Sequence, residues 1–167
     1  MKTVNLKRQT ALAMLAALGY VLNTFVSFPR MAPFQHMINV IAAVILGPML
    51  SFLCALLIGC LRMLLNGSTI LAVIGAVIGA FLSGVLYKKT QKLSMAVVGE
   101  VIGTGVISAI VSYPFMVHFY GLPRTSIFTY VPFFTPSSLM GAIIGFVLLK
   151  SLEKTGNLQK IKQSLEK

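Results

Sequence analysis

The apolar stretch QHMINVIAAVILGPMLSFLCALLIGCLRMLL at residues 35–65 decides the fold. Arg62 is its only Lys, Arg, Asp or Glu, and the pair Gly47-Pro48 lies near its middle. A membrane-spanning helix needs about 20 mainly apolar residues. The stretch is therefore long for one span and short for two, and it predicts either one tilted helix or two short helices that meet at Gly47-Pro48.

The rest of the chain is also strongly apolar. Of its 167 residues, 57% are hydrophobic and only 10% are charged, and the mean hydropathy is +0.90. A water-soluble domain of this size has too little interior to bury so much apolar surface. The sequence therefore predicts one all-α integral membrane domain over residues 1–167, a multi-pass protein of a bacterial-type plasma membrane.

The basic residues predict the topology. Fourteen Lys and Arg against three acidic residues give a net charge of +11. Most of them lie in three clusters that flank apolar runs: Lys2, Lys7 and Arg8; Lys88, Lys89 and Lys92; Lys150, Lys154, Lys160, Lys162 and Lys167. This placement is typical of cytoplasmic flanks, so it predicts both termini inside and argues against a nucleic-acid partner.

The number of spans follows from these flanks. If the N-terminus and residues 88–92 are both cytoplasmic, an even number of crossings separates them, which favours two short helices in the stretch 35–65. The alternative is a re-entrant hairpin there. We expect a six-transmembrane-helix bundle, with spans at about 9–28, 35–46, 48–65, 69–87, 94–118 and 136–152. A cytoplasmic tail helix at about 157–167 is expected at the inner membrane surface. Thr135 and Pro136 predict the cap and first turn of the sixth span.

Polar residues inside the spans indicate a binding site. Such residues are costly in hydrocarbon and need a partner or a function, and most of those here converge on the predicted outer side, together with aromatic residues. The predicted substrate-binding residues are Gln35, His36, Asn39, Arg62, Asn66, Glu100, Tyr113, Tyr130, Phe133 and Ser137. Two alternatives stay open: some of these residues could form an interfacial aromatic belt, and Glu100 could be purely structural.

Motifs of catalysis are missing from the sequence. It contains neither a phosphate-binding loop with Lys and Ser/Thr, nor a His-Glu-x-x-His zinc motif, nor a nucleophile elbow. Cys54 and Cys60 fit small core residues better than a metal site or a disulfide. We therefore predict no enzyme activity, no cofactor and no metal, and no transport powered by this chain alone.

Four segments resemble the ThiW family, the membrane-embedded substrate-binding (S) components of energy-coupling factor (ECF) transporters for the thiazole moiety of thiamin. They are FQHMINV at 34–40, LGP at 46–48, Leu61-Arg62 with Asn66, and GEVIGTG at 99–105. The resemblance implies a six-helix bundle with both ends inside. It also implies that hydroxyethylthiazole binds in an outer pocket, closed by the loop at residues 29–34.

The same resemblance implies protein partners. These are an ECF coupling membrane protein and two cytoplasmic ATPases, with Ala13 and Ala17 of the first helix facing the coupling protein. Three other functions remain open from the residues alone. The chain could be an S component for a different vitamin, a stand-alone proton-coupled carrier that uses Glu100, or a membrane scaffold that transports nothing.

Overall fold

The computed structural model describes residues 6–26 and 31–166, and these are built from helices. The helices are α1 Leu6–Phe25, α2 Pro33–Leu46, α3 Pro48–Asn66, α4 Leu71–Thr90, α5 Leu93–Tyr120, α6 Val131–Lys154 and α7 Asn157–Glu166. The predicted all-helical fold is thus confirmed for this part of the chain. Within residues 6–26 and 31–166, four helices, α3 to α6, are long and apolar enough to cross a membrane.

Helix α2 is shorter than the other apolar helices. Its 14 residues extend about 21 Å at 1.5 Å per residue, whereas the hydrocarbon core of a bilayer is about 30 Å thick. Helix α1 has 20 residues but is not among the candidate spans. The count of six spans and their orientation therefore remain predictions.

Small and polar side chains lie inside the bundle, and large apolar ones lie outside. Helix α6 shows this most clearly, because Ser138, Gly141 and Gly145 are buried while Ile143 and Val147 are exposed. In lipid, close packing of small residues holds helices together, and large apolar residues face the acyl chains. This distribution, with the long apolar helices, identifies a membrane protein.

Gly47 separates α2 from α3. It has φ +83°, a backbone conformation that favours glycine, and Pro48 begins the next helix, where its missing N–H costs nothing. Helix α2 ends beside the start of α1, where Arg8 Nη2 donates to Leu46 O. Helix α3 returns to the other end of the bundle, where Asn66 Oδ1 accepts a hydrogen bond from Tyr20 OH at 2.8 Å. The two helices therefore run between the same two ends of the bundle.

The lysine clusters in the described residues share one end of this bundle, which we call the lysine end. Helix α4 finishes there at Lys88 and Lys89, and α6 finishes there at Lys154. Arg62 and Arg124 lie toward the opposite end, near the end of α3 and in the connection between α5 and α6. The charge asymmetry that predicted the topology is therefore an asymmetry of the folded bundle.

Two predicted features of the C-terminal part differ from the structure. Helix α6 begins at Val131, so Pro136 lies inside it and Thr135 is no cap: Thr135 Oγ1 donates to Gly105 O at 3.1 Å instead. The second concerns the apolar face of helix α7, which packs on the bundle through the buried Leu158 and Leu165; its position at the inner membrane surface stays a prediction.

Helix α5 contains a π-helical turn, Gly103–Ser108. Here α5 approaches α4 so closely that a Cβ on Gly103 would lie 2.6 Å from Gly79 Cα. Such turns hold one extra residue and occur often at functional sites. The first residue after Gly103, Thr104, donates to the buried Glu100, so the turn adjoins the buried polar residues described below.

Candidate functional site

A cavity of about 730 Å³ opens at the end of the bundle opposite the lysine end. This volume falls within the range of roughly 300–1,000 Å³ that is usual for small-molecule sites. All six helices from α1 to α6 contribute lining residues. Their convergence explains why the lining residues are scattered along the sequence.

One wall of the cavity is polar. Arg62 Nη1 donates to Gln35 Oε1, and Gln35, only 1% exposed, directs its amide nitrogen at Ala72 O, 3.4 Å away. A guanidinium carries five N–H donors, and the ion pairs found within residues 6–26 and 31–166 do not include Arg62. The wall therefore offers an oriented cation with donors left for a ligand or for water.

Another part of the cavity wall is aromatic. Tyr130, Phe133 and Phe134 all line the cavity, and the rings of Tyr130 and Phe134 lie 6.0 Å apart, tilted by 41°. The Phe134 ring lies against Gly75, where a Cβ would come within 2.9 Å of it. Burial, and then the nearby Tyr113 phenol, raise the pKa of Tyr130, so its hydroxyl stays neutral at physiological pH. Apolar faces with a few neutral polar groups suit a small heteroaromatic ligand.

Hydrogen bonds tie the helices together around the cavity mouth. Asn66 accepts from Tyr20 OH and donates from Nδ2 to Thr24 Oγ1 at 2.9 Å, which joins α3 to α1. Ser137 Oγ accepts from the backbone N–H of Ala32 at 2.9 Å. Of the predicted closing loop at residues 29–34, positions 29 and 30 fall outside the described residues, whereas Met31 and Ala32 line the cavity.

Behind the polar wall lies a second group of buried polar side chains. Glu100, fully buried, places Oε1 2.8 Å from His36 Nδ1. The same oxygen accepts from Asn39 Nδ2 and from Thr104 Oγ1, each at 3.0 Å. Of these four residues, His36 alone contributes to the cavity lining. The group therefore contacts a ligand only through His36.

Seven of the ten predicted substrate-binding residues line the cavity: Gln35, His36, Arg62, Asn66, Tyr130, Phe133 and Ser137. Asn39 and Glu100 lie behind His36 instead. Tyr113 also lies outside the lining, and its hydroxyl donates to Thr125 O at 2.9 Å in the connection between α5 and α6. The predicted docking pair, Ala13 and Ala17, lies exposed on the outer surface of α1.

The prediction also missed several lining residues, among them Asn23, Thr24, Thr69, Met116 and Phe134. Asn23 could have been found, because an asparagine within an apolar span needs a partner. Met116 could not, since a methionine in a membrane helix resembles any other lipid-facing or core residue. Only the position of its helix brings it to the cavity.

Comparison with known proteins supplies a family. The family model of the thiamine-precursor transporter protein (ThiW) matches residues 9–155. Neither the curated proteins nor the solved structures give a significant match. The matched segment contains α2 to α6 and all but the first three residues of α1, and it covers most of the sequence. The chain therefore belongs to the ThiW family of thiamine-precursor transporter proteins.

Proposed function

We propose that this protein is the substrate-capture (S) component of an ATP-dependent ECF transporter, and that it takes up hydroxyethylthiazole across a bacterial-type plasma membrane. The cavity, which is lined by both Arg62 and Phe134, is the observation that carries the proposal. It opens away from the lysine end, and the lysine end is cytoplasmic under the positive-inside rule. A ligand would thus enter from outside.

The chemistry of the two walls fits this ligand. A thiazole ring can lie against Tyr130 and Phe134, while Arg62 donates to its ring nitrogen or its hydroxyl oxygen. The ligand has about nine non-hydrogen atoms, and the best small ligands gain up to roughly 1.5 kcal/mol per atom. This sets a ceiling near −13 kcal/mol, so nanomolar binding, about −12 kcal/mol, requires contacts to nearly every atom.

Transport would need partner proteins, because the sequence carries no nucleotide-binding motif. Ala13 and Ala17 support a docking surface on α1, since both are exposed and one turn apart on the same face. Small residues at this spacing let a second helix approach closely in lipid. We propose that the ECF coupling protein binds here and that two cytoplasmic ATPases supply the energy.

A second candidate is a proton-coupled carrier. Glu100 favours it, because this carboxyl group is fully buried and contacts the cavity-lining His36. Buried acidic residues in membrane helices often belong to proton pathways. Such a carrier would need no ATPase.

Uptake into proteoliposomes separates the two candidates. The first sample contains this chain alone with an inward proton gradient, and the second contains the chain with the coupling protein and both ATPases, loaded with ATP. An S component accumulates radiolabelled hydroxyethylthiazole only in the second sample. Accumulation by the chain alone, abolished by collapse of the gradient, would instead establish the proton-coupled carrier.

A further inference from the structure

Glu100 fixes the orientation of the His36 ring. Its Oε1 lies 2.8 Å from His36 Nδ1 and also accepts hydrogen bonds from Asn39 and Thr104. Asn39 Nδ2 lies 3.3 Å from Ala76 O as well. A backbone carbonyl only accepts, so this atom of Asn39 is the amide nitrogen, and Glu100 Oε1 is an acceptor.

These contacts decide which of the two atoms, His36 Nδ1 or Glu100 Oε1, donates the hydrogen bond between them. Oε1 of Glu100 already accepts hydrogen bonds from Asn39 and Thr104, and the O–H oxygen of a carboxylic acid is a weak acceptor. A proton on this carboxyl group therefore belongs on Oε2, which has no hydrogen-bond partner among the described residues. Whether or not that proton is present, Oε1 remains the acceptor. His36 Nδ1 must therefore carry a hydrogen and donate it to Glu100.

The charged side chains of the cavity lining and of its buried partner favour a neutral imidazole. Arg62 and His36 line the same cavity, whereas Arg124 does not. Of the three acidic residues in the sequence, only Glu100 is near, because Glu153 lies in the last turn of α6 and Glu166 lies in α7. Arg62 and Glu100 together carry no net charge, so a neutral imidazole keeps these buried charges balanced. A neutral ring with hydrogen on Nδ1 has an acceptor at Nε2.

We propose that His36 presents Nε2 to the cavity as a hydrogen-bond acceptor and that Glu100 is the positioning residue that selects this tautomer. The site then recognises a neutral heteroaromatic alcohol, because Nε2 accepts a hydrogen bond from its hydroxyl group. Arg62 donates a hydrogen bond to an acceptor atom of the same ligand. A methyl ether of the same alcohol has no proton to donate and leaves Nε2 unpaired. The choice of ligand rests on the proposed function, whereas the tautomer does not.

Nitrogen NMR tests the tautomer directly. The chain has two histidines, and His118→Gln, at an exposed position, leaves His36 as the only one. In ¹⁵N-histidine-labelled protein without ligand we expect a protonated Nδ1 and an unprotonated Nε2. A protonated Nε2 would overturn the proposal. In Glu100→Met, which removes the acceptor, hydrogen on Nδ1 should no longer be favoured.

The affinities of an alcohol and its methyl ether test whether Nε2 accepts a hydrogen bond from the ligand. Hydroxyethylthiazole should bind the wild-type chain about tenfold more tightly than its O-methyl ether, because the ether forfeits one hydrogen bond in the cavity. Glu100→Met should bring this ratio close to one. Glu100→Gln should keep the ratio, since an amide oxygen can replace Oε1, although its absolute affinity is free to fall. Glu153→Gln, a change of the same kind in the last turn of α6, is the matched control and should alter nothing.

These measurements distinguish a failure of the positioning role of Glu100 from a failure of the proposed function. A ratio that survives in Glu100→Met, or one that disappears in Glu100→Gln, would refute a positioning role through the hydrogen bond. If neither the alcohol nor the ether binds the wild-type chain, the proposed function fails. The NMR measurement then still decides the tautomer by itself.

Discussion

A Cβ on Gly141 would lie 2.0 Å from the carbonyl oxygen of Pro33, so α6 meets the first turn of α2 backbone to backbone. Gln35 and His36 lie in the same turn and both line the cavity. Close approach of this kind is a main source of helix association in lipid. The position of the polar wall therefore depends on the absence of a side chain at residue 141.

We expect Gly141→Ala to destabilise the bundle by about 1–3 kcal/mol, because the added methyl group must push two helices apart. Gly145→Ala is the matched control, since its methyl group would meet Met37 O at 3.1 Å and needs a smaller adjustment. Thermal unfolding of both variants in the same detergent measures the difference. A Gly141→Ala protein as stable as wild type, or less affected than Gly145→Ala, would contradict this packing.

Arg62→Ala should weaken hydroxyethylthiazole binding by about 1–3 kcal/mol, because a ligand acceptor and Gln35 both lose a charged donor. Arg62→Lys should recover only part of this, since an ammonium cannot reproduce the planar guanidinium fork. Isothermal titration of the purified variants checks both values. Arg124→Ala is the control, because Arg124 also lies toward the end opposite the lysine end but does not line the cavity. This variant should bind as wild type does. Equal affinities of wild type and Arg62→Ala would move the ligand away from the polar wall.

Phe134→Ala should weaken binding by about 1–2 kcal/mol through the loss of one aromatic face of the site. Phe81→Ala is its control, because Phe81 packs against Phe52 away from this cavity. Fluorescence or calorimetric titration of the two proteins gives the comparison. A larger loss in the Phe81 variant would show that the aromatic wall has been assigned incorrectly.

Much of the fold follows from sequence because lipid imposes simple rules. Gly47-Pro48 marks the break between α2 and α3, since glycine permits the positive φ and proline starts a helix without a missing bond. Pro136 misled the prediction because Pro132, the second residue of α6, already occupies the first helical turn. Pro136 lies inside the helix, where it removes a backbone hydrogen bond, and it does not mark the start of α6.

The site was predictable to the extent that its residues are polar. Arg62 and His36 stand out in apolar segments, and both line the cavity. Glu100 stands out equally, but sequence alone could not reveal that His36 lies between it and the cavity, because the contact joins α2 to α5. Met116 lacked any distinguishing signal, since apolar residues are everywhere in this chain.

If α1 docks on a partner protein, substitutions on its exposed face should block transport without affecting ligand binding. Ala13→Trp or Ala17→Trp should abolish ATP-dependent uptake in a reconstituted complex, because a bulky side chain prevents close approach of the partner helix. Ligand affinity of the isolated chain should stay within about threefold, roughly 0.65 kcal/mol. Leu148→Trp, on the exposed surface of α6, should transport normally. Normal uptake by the double Ala13 and Ala17 variant would remove α1 as the docking surface.

This chain by itself should bind the thiazole precursor of thiamin, and equilibrium titration of the purified wild-type protein measures that binding. Hydroxyethylthiazole and the pyrimidine half of thiamin are titrated separately into the chain in lipid nanodiscs. We expect saturable binding of the thiazole at one site per chain with Kd below about 1 µM, equivalent to −8.2 kcal/mol, and at least about tenfold weaker binding of the pyrimidine. Saturable binding of the pyrimidine alone, or of neither compound, would contradict it.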